Sequence, residues 1–436
     1  MPLHSCTLLL HFSRTTDYTW KMAAFRLPTK RDFIENSTMI KRIKLDALRT
    51  LMRSSISEVF VLLLLLVNMV KACPSNLCAC QGPNVACNRH RLDQVPLFDD
   101  EFPQRTYEQL DLSRNEIYSI PPYAFKNIRV KSIDIGRNEL IGISPRAFAG
   151  VHDSLLRLNL NHAGLKVLHW GVFNNLHSLK ELDLTKNELF ALPRGLFDSL
   201  MKLENLKISW NQIEDIRYGT FRYLRRLSKL NLMGNKIFKI DDAAFEDLRD
   251  LVILNLSSNR LSSLHTSMFE GLQNLQRLDM ENNMISFIGD QTFLMLPQLK
   301  YLSLARNSLT SLSTKTFLGL TILEELMLQG NSITNVSANG FLPTPRLKIL
   351  QLGDNKLRTF GDECRAGGFE ALQELWLQNN PIHCDCGWRW LEAVAQRGIL
   401  LTGQCAQPSG WVGEDLSRVD FSHCKNTSCL VRPPYD

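Results

Sequence analysis

Long apolar runs are scarce in this chain. The longest, Val59 to Val67, contains five consecutive leucines, Leu62 to Leu66, and even stretched to Val70 it spans 12 of the 436 residues. About 20 are needed to cross a bilayer core, so a membrane span is not expected. Also missing is an excess of one charge sign in the part that folds. The formal net charge is +6, but residues 1–72 hold 11 Lys/Arg against 5 Asp/Glu, which leaves 39 of each sign in the remainder. Nothing here supports a nucleic-acid partner held by general charge. Catalytic signatures are absent too. There is no G-x-S-x-G, H-E-x-x-H or P-loop, and the ten histidines are scattered. Neither an enzyme nor a cofactor or metal site is expected.

The leading segment reads as an address. Arg53, the apolar centre and Val70-Lys71-Ala72 as a small-residue cleavage site make a secretory signal. A start at Met52 gives a signal of ordinary length over 52–72, so residues 1–51 are predicted to be an upstream extension of the gene model. Asn255, Asn335 and Asn426 stand in glycosylation acceptor sequences. The stretch Leu430 to Asp436 lacks the apolar tail of a lipid-anchor signal. A secreted, disulfide-bonded glycoprotein is the expectation.

What the chain has in abundance is one phrase, L-x-L-x-x-N. It runs from Leu110 to Asn115, Ile133 to Asn138, Leu182 to Asn187, Leu206 to Asn211 and Leu230 to Asn235. Asparagines then follow at 259, 283, 307, 331 and 355, and a last copy ends at Asn380. Ten residues after this position stands a phenylalanine in ten successive repeats: Phe125, Phe148, Phe173, Phe197, Phe221, Phe245, Phe269, Phe293, Phe317 and Phe341. Two registers held this steadily define twelve repeats over 105–380. Alternating leucines point to one side of a short strand. The asparagine amide both donates and accepts, so it can satisfy backbone groups of its own and neighbouring coils. The phenylalanine fills the far side. Strands stack about 4.8 Å apart, and bulkier Phe-bearing segments opposite need more room, so the stack bends. The expected fold is an α/β solenoid, curved, with a parallel sheet on its concave face. Two repeats depart from the pattern. Ala163 replaces the asparagine in the third, and the eleventh inserts Cys364 between Phe360 and Phe369.

Eight of the 11 cysteines cluster at the two ends of the array: Cys73, Cys78, Cys80 and Cys87 before it, and Cys384, Cys386, Cys405 and Cys424 after it. Solenoid ends expose core and strand edges, so caps are required. This arrangement, and above all Asn380-Pro-Ile-His-Cys384-Asp-Cys386-Gly-Trp388-Arg-Trp390, resembles the capped extracellular leucine-rich repeat proteins such as Slit, chondroadherin, the Nogo receptor and peroxidasin. The likeness covers residues 73–424. It implies caps at 73–104 and 381–424, a tail at 425–436, and the pairings Cys73–Cys80, Cys78–Cys87, Cys384–Cys405 and Cys386–Cys424. By spacing alone each four-cysteine set allows three connectivities. A zinc site at His383-Cys384-Asp385-Cys386 is the competing reading, but no second close pair follows the C-x-C. Cys6 falls in the leader. Cys364 and Cys429 are left over, with mutual pairing and a link between chains both open.

With no chemistry to place, function must lie on a surface. The register assigns Asp111, Asp134 and Asp183 to the concave face, with Arg114, Arg137 and Trp210 just before the turn asparagines. Such alternation is also what a plain solvated surface looks like. Farther along, Tyr301, Met327, Ile349 and Trp376 should project from the sheet into solvent, as exposed aromatic and thioether groups do in protein hot spots. A glycan on Asn255 would divide the face. The leading expectation is a secreted binder of an extracellular protein or matrix component. The alternative is a receptor or adhesion ectodomain whose gene model stops early. An enzyme or enzyme inhibitor lacks positive support.

Overall fold

The L-x-L alternation becomes a strand in each of the twelve coils. The first two strands, Thr106–Asp111 and Arg129–Asp134, have six residues. Later ones, such as Arg157–Asn159, Glu181–Asp183 and Asn205–Lys207, have three. All pair in parallel, leucine beside leucine: Leu158 with Leu182, then Leu206, Leu230 and Leu254. A one-residue slip would turn every leucine outward, so burial itself sets the register. The computed structural model describes residues 13–14, 20–21, 73–98, 106–337, 339–360, 368–421 and 424. The chain forms two units, Met1–Ala72 and Cys73–Asp436. In the first, Ser13–Arg14 pairs antiparallel with Trp20–Lys21. The remaining residues of the expected leader, Cys6, Cys364, Cys429, Asn426 and the tail lie outside the described residues.

In the second unit the sheet has fifteen strands, because both caps add to it. Asn84–Ala86 pairs in parallel with the first repeat strand and is itself covered by the antiparallel Ala79–Gln81. At the other end Leu400–Thr402 pairs in parallel with Glu374–Trp376. The structure joins Cys73 to Cys80, Cys78 to Cys87, Cys384 to Cys405 and Cys386 to Cys424. Among the described residues the α-helix is Trp390–Ala395 in the C-terminal cap, and the far side of the coils is built from turns with one 3-10 helix at Thr266–Phe269.

On that far side the phenylalanines stack into a spine. Phe173, Phe197, Phe221 and Phe245 lie face to face with ring centroids 6.4, 6.1 and 6.0 Å apart. Strands spaced about 4.8 Å on one side and rings spaced about 6 Å on the other make each coil a wedge, which curves the stack. Phe98 extends the spine into the N-terminal cap. In the eleventh coil Phe360 stacks on Phe341, and Phe369 passes the contact to Trp390, so two rings hold the place of one.

The turn asparagines form the second interior ladder. Asn187 donates to the carbonyls of Leu184 and Leu160, and its Oδ1 accepts from the N–H groups of Ala163 and Leu165 in the preceding coil. Asn211, Asn235 and Asn259 repeat the arrangement. Ala163 cannot offer an amide oxygen to the coil before it. There the Leu140 N–H donates to the Ala163 backbone carbonyl at 2.7 Å instead. A main-chain acceptor replaces the side chain, and the ladder passes through the irregular coil.

Candidate functional site

The concave face divides into two halves of different chemistry. In the N-terminal half the position between the two leucines carries Asp111, Asp134, Asn159 and Asp183. Each turns one side-chain oxygen back to accept the backbone N–H two residues on, at 2.8–3.0 Å. Asn231, Asn255 and Asp279 do the same. These residues shape the exit from the strand, an Asx turn, which sequence reasoning did not see. Their second oxygens are partly occupied as well. Asp111 accepts from the Asn88 amide at 2.8 Å, and Asp183 lies 3.7 Å from the Lys207 ammonium. Burial, with Asp111 and Asp183 nearby, pushes the Asp134 carboxyl above its ordinary range against the opposing hydrogen bonds from Gly136 and Asn159. A shallow depression of about 220 Å³ opens among Ser132, Asp134, Arg157, Asn159, Asp183 and Lys207.

Arg114, Arg137 and Trp210 occupy the residue before each turn asparagine, and here the backbone has φ near +57°. All twelve coils are left-handed at this position, including His162, Lys186, Ser258, Arg306 and Asp354. The conformation costs a non-glycine residue roughly 1 kcal/mol. It persists because it aims the N–H at the next coil: Arg137 at the Asn161 carbonyl, Trp210 at that of Met233, both 2.8 Å. Gly and Asn at this register (Gly234, Asn282, Gly330, Asn379) were the sequence signal for it. Arg114, Arg137, His162 and Lys186 are exposed in consecutive coils. Burial, then the Lys186 and Arg137 charges, lowers the His162 pKa. Trp210 is 49% exposed, and its indole lies over Gly234, where an added Cβ would come within 2.7 Å of the ring.

In the C-terminal half an apolar zigzag runs among polar neighbours. Tyr301, Met327, Ile349 and Trp376 stand on successive strands at alternating positions, with Ser303, Glu325, Gln351 and Glu374 at the complementary ones. Projection from the sheet into solvent was expected of these four, and each is partly exposed. Arg277 lies 3.5 Å from the centre of the Tyr301 ring. The Trp376 indole N–H donates to Glu374 at 3.0 Å, which folds the ring along its own strand, and the cap residue Thr402 sits beside it. Tyr301 and Trp376 thus each lean on a charged neighbour. The cap also adds a residue to this patch that sequence reasoning missed. Leu400, 48% exposed, takes the place on the cap strand that Ile349 holds two strands earlier.

Of the two described acceptor asparagines, Asn335 is exposed. Asn255 is half-buried on the concave face, and its Oδ1 accepts from both the N–H and the hydroxyl of Ser257. Among the described residues no group of three or more His, Cys, Asp or Glu is placed to hold a metal ion, and no helix is long and apolar enough to cross a membrane.

No curated protein matches the chain. Among solved structures it is similar to a chain in the octameric complex of Latrophilin 3 (Lec, Olf), Unc5D (Ig, Ig2, TSP1) and FLRT2 (LRR), with 24% identity and a TM-score of 0.61 over 81% of this chain and 99% of that one. It is also similar to a chain of the Drosophila Toll–Spatzle complex, with 22% identity and a TM-score of 0.58 over 72% of this chain and 48% of that one. An LRR protein of Leptospira interrogans matches with 25% identity and a TM-score of 0.52 over 74% and 89%. At such identities the likeness is one of fold. The leucine rich repeat family model matches residues 106–153, 153–213, 225–285, 281–333 and 321–382. With that coverage, and with coils, asparagine ladder and caps in place, the chain belongs to the leucine-rich repeat family.

Proposed function

We propose that this protein is a non-catalytic extracellular binding module that holds a protein or matrix partner on the C-terminal half of its concave face. The observation that carries the reading is the zigzag of Tyr301, Met327, Ile349 and Trp376, continued by Leu400 of the cap. Tyr301 and Trp376, held against Arg277 and Glu374, lose little rotamer entropy on association, which favours tight contact. The acidic residues of the other half contribute less, because Asp111, Asp134 and Asp183 already serve their own turns. Four disulfides among the described residues support an oxidising compartment. The layout of cap, repeats and cap is like that of chondroadherin and fits a secreted protein. A receptor or adhesion ectodomain would use the same face, and a transcript running past Asp436 into about 20 apolar residues would identify it.

The test is charge reversal. Met327→Glu with Trp376→Glu, and separately Leu400→Glu, should remove at least nine-tenths of whatever partner the unaltered chain captures from extracellular material, while secretion and thermal midpoint stay near those of the parent. Capture at parental levels by both variants would remove the patch from consideration.

A further inference from the structure

On the flank that follows each strand, the third residue after the turn asparagine faces solvent between two buried neighbours. Ile117 and Ile120 bracket Tyr118, Leu189 and Leu192 bracket Phe190, and Ile237 and Ile240 bracket Phe238. In coils seven to ten this position holds Ser262, Ser286, Thr310 and Thr334, so the coil itself does not require an apolar side chain there. Coils one, two and four nevertheless carry Tyr118, Ile141 and Phe190, and in the third Val167 stands beside Lys166; the fifth holds Glu214, which separates Phe238 of the sixth from the others. All five apolar residues are exposed, Ile141 by 86%. Neighbouring coils are hydrogen-bonded at this point, Ile141 N–H to the Tyr118 carbonyl at 2.7 Å and Phe238 N–H to that of Glu214 at 3.0 Å. Repetition of the coil therefore brings Tyr118, Ile141, Val167 and Phe190 of the first four coils onto one flank. Isolated exposed apolar residues need no explanation, but a contiguous row does.

The row has a charged border. Two residues before it lie Glu116, Glu139 and Glu188, all exposed. Lys166 sits 3.6 Å from Glu188, whereas Glu116 and Glu139 make no ion pair among the described residues. We propose that this flank of the first four coils docks a cationic amphipathic helix of a protein partner. An α-helix rises 5.4 Å per turn, close to the coil spacing of about 4.8 Å, so successive turns of one apolar helix face meet successive coils. Lysines or arginines on the adjoining helix face then meet the free glutamates. Recognition of this kind is the helix-in-groove mode, read out through one apolar stripe.

The probe is an 18-residue helix of leucine and lysine with leucine at the i, i+3, i+4, i+7 spacing, labelled for fluorescence anisotropy and titrated with the purified chain. Saturable binding is expected. Ile141→Glu with Phe190→Glu should weaken it at least tenfold, and Met327→Glu with Trp376→Glu should leave it unchanged. Glu116→Lys with Glu139→Lys keeps the apolar row and should exchange the preference, weakening the leucine–lysine helix and admitting its leucine–glutamate counterpart. Equal binding of the two helices to the parent chain, or unchanged affinity in both flank variants, would overturn the proposal. A concentration-dependent dimer in sedimentation velocity that disappears in the Ile141→Glu, Phe190→Glu variant would assign the row to a second copy of the chain and overturn it equally.

Discussion

At the scale of single residues the asparagine ladder and the Asx turns respond differently to change. Asn235 is buried, donates to the Ile208 and Leu232 carbonyls, and accepts from the Ile213 N–H. Asn235→Ala removes all three bonds from a site water does not reach, and should cost about 2–4 kcal/mol in urea unfolding. A loss below about 1 kcal/mol would mean that the backbone takes over there as it does at Ala163. Asp134 presents the opposite case. Its pKa is raised in the folded chain, so the folded state pays for the ionised form. That burden is present above the folded pKa and is lifted as the pH falls through it. Asp134→Asn keeps the acceptor for the Gly136 N–H and removes the charge. It should raise the thermal midpoint at neutral pH, and the gain should shrink to nothing in acid. The asparagine role was legible because an amide at every turn has one physical use. The Asx turn was not, because an aspartate in a row of charges looks the same whether it serves a ligand or its own backbone.

At the scale of elements, position within the coil decides what a residue contributes. Phe221 is buried between Phe197 and Phe245. Phe221→Ala should cost about 3–5 kcal/mol, since the rigid neighbours cannot close the cavity. Phe190 belongs to the exposed flank, and Phe190→Ala should change stability by no more than about 0.5 kcal/mol in the same denaturation. Strands and spine were both legible, because a period of 24 residues with fixed leucine and phenylalanine registers admits one folding of the coil. The left-handed residue before each asparagine was harder to see. Glycine and asparagine mark it in some coils, but Arg114, Lys186 and Trp210 hide it in others.

For the whole molecule the caps decide where unfolding begins. Each coil contacts only its neighbours, so an opened end propagates inward. Cys386–Cys424 closes a separation of 38 residues. Replacing both cysteines with serine should lower stability by roughly 3–4 kcal/mol by the chain-entropy model. The fraying should appear in native-state hydrogen exchange as lost protection in the strands at 349–351, 374–376 and 400–402, with the middle coils unaffected. Uniform loss along the whole array would argue against local, neighbour-limited coupling.

The amino-acid sequence by itself determined the coil. Leucine alternation, an amide at each turn and a ring opposite are local demands, repeated until only a stacked array satisfies them. The functional surface is different in kind, because it is made by residues about 24 apart and owes its character to what each side chain finds beside it. Only the tertiary structure could turn Asp111, Asp134 and Asp183 inward to their own backbones, fold Trp376 onto Glu374, place Leu400 at the end of the apolar zigzag, and bring Tyr118, Ile141 and Phe190 onto one flank. Period is written along the chain, whereas adjacency exists only after the chain has coiled.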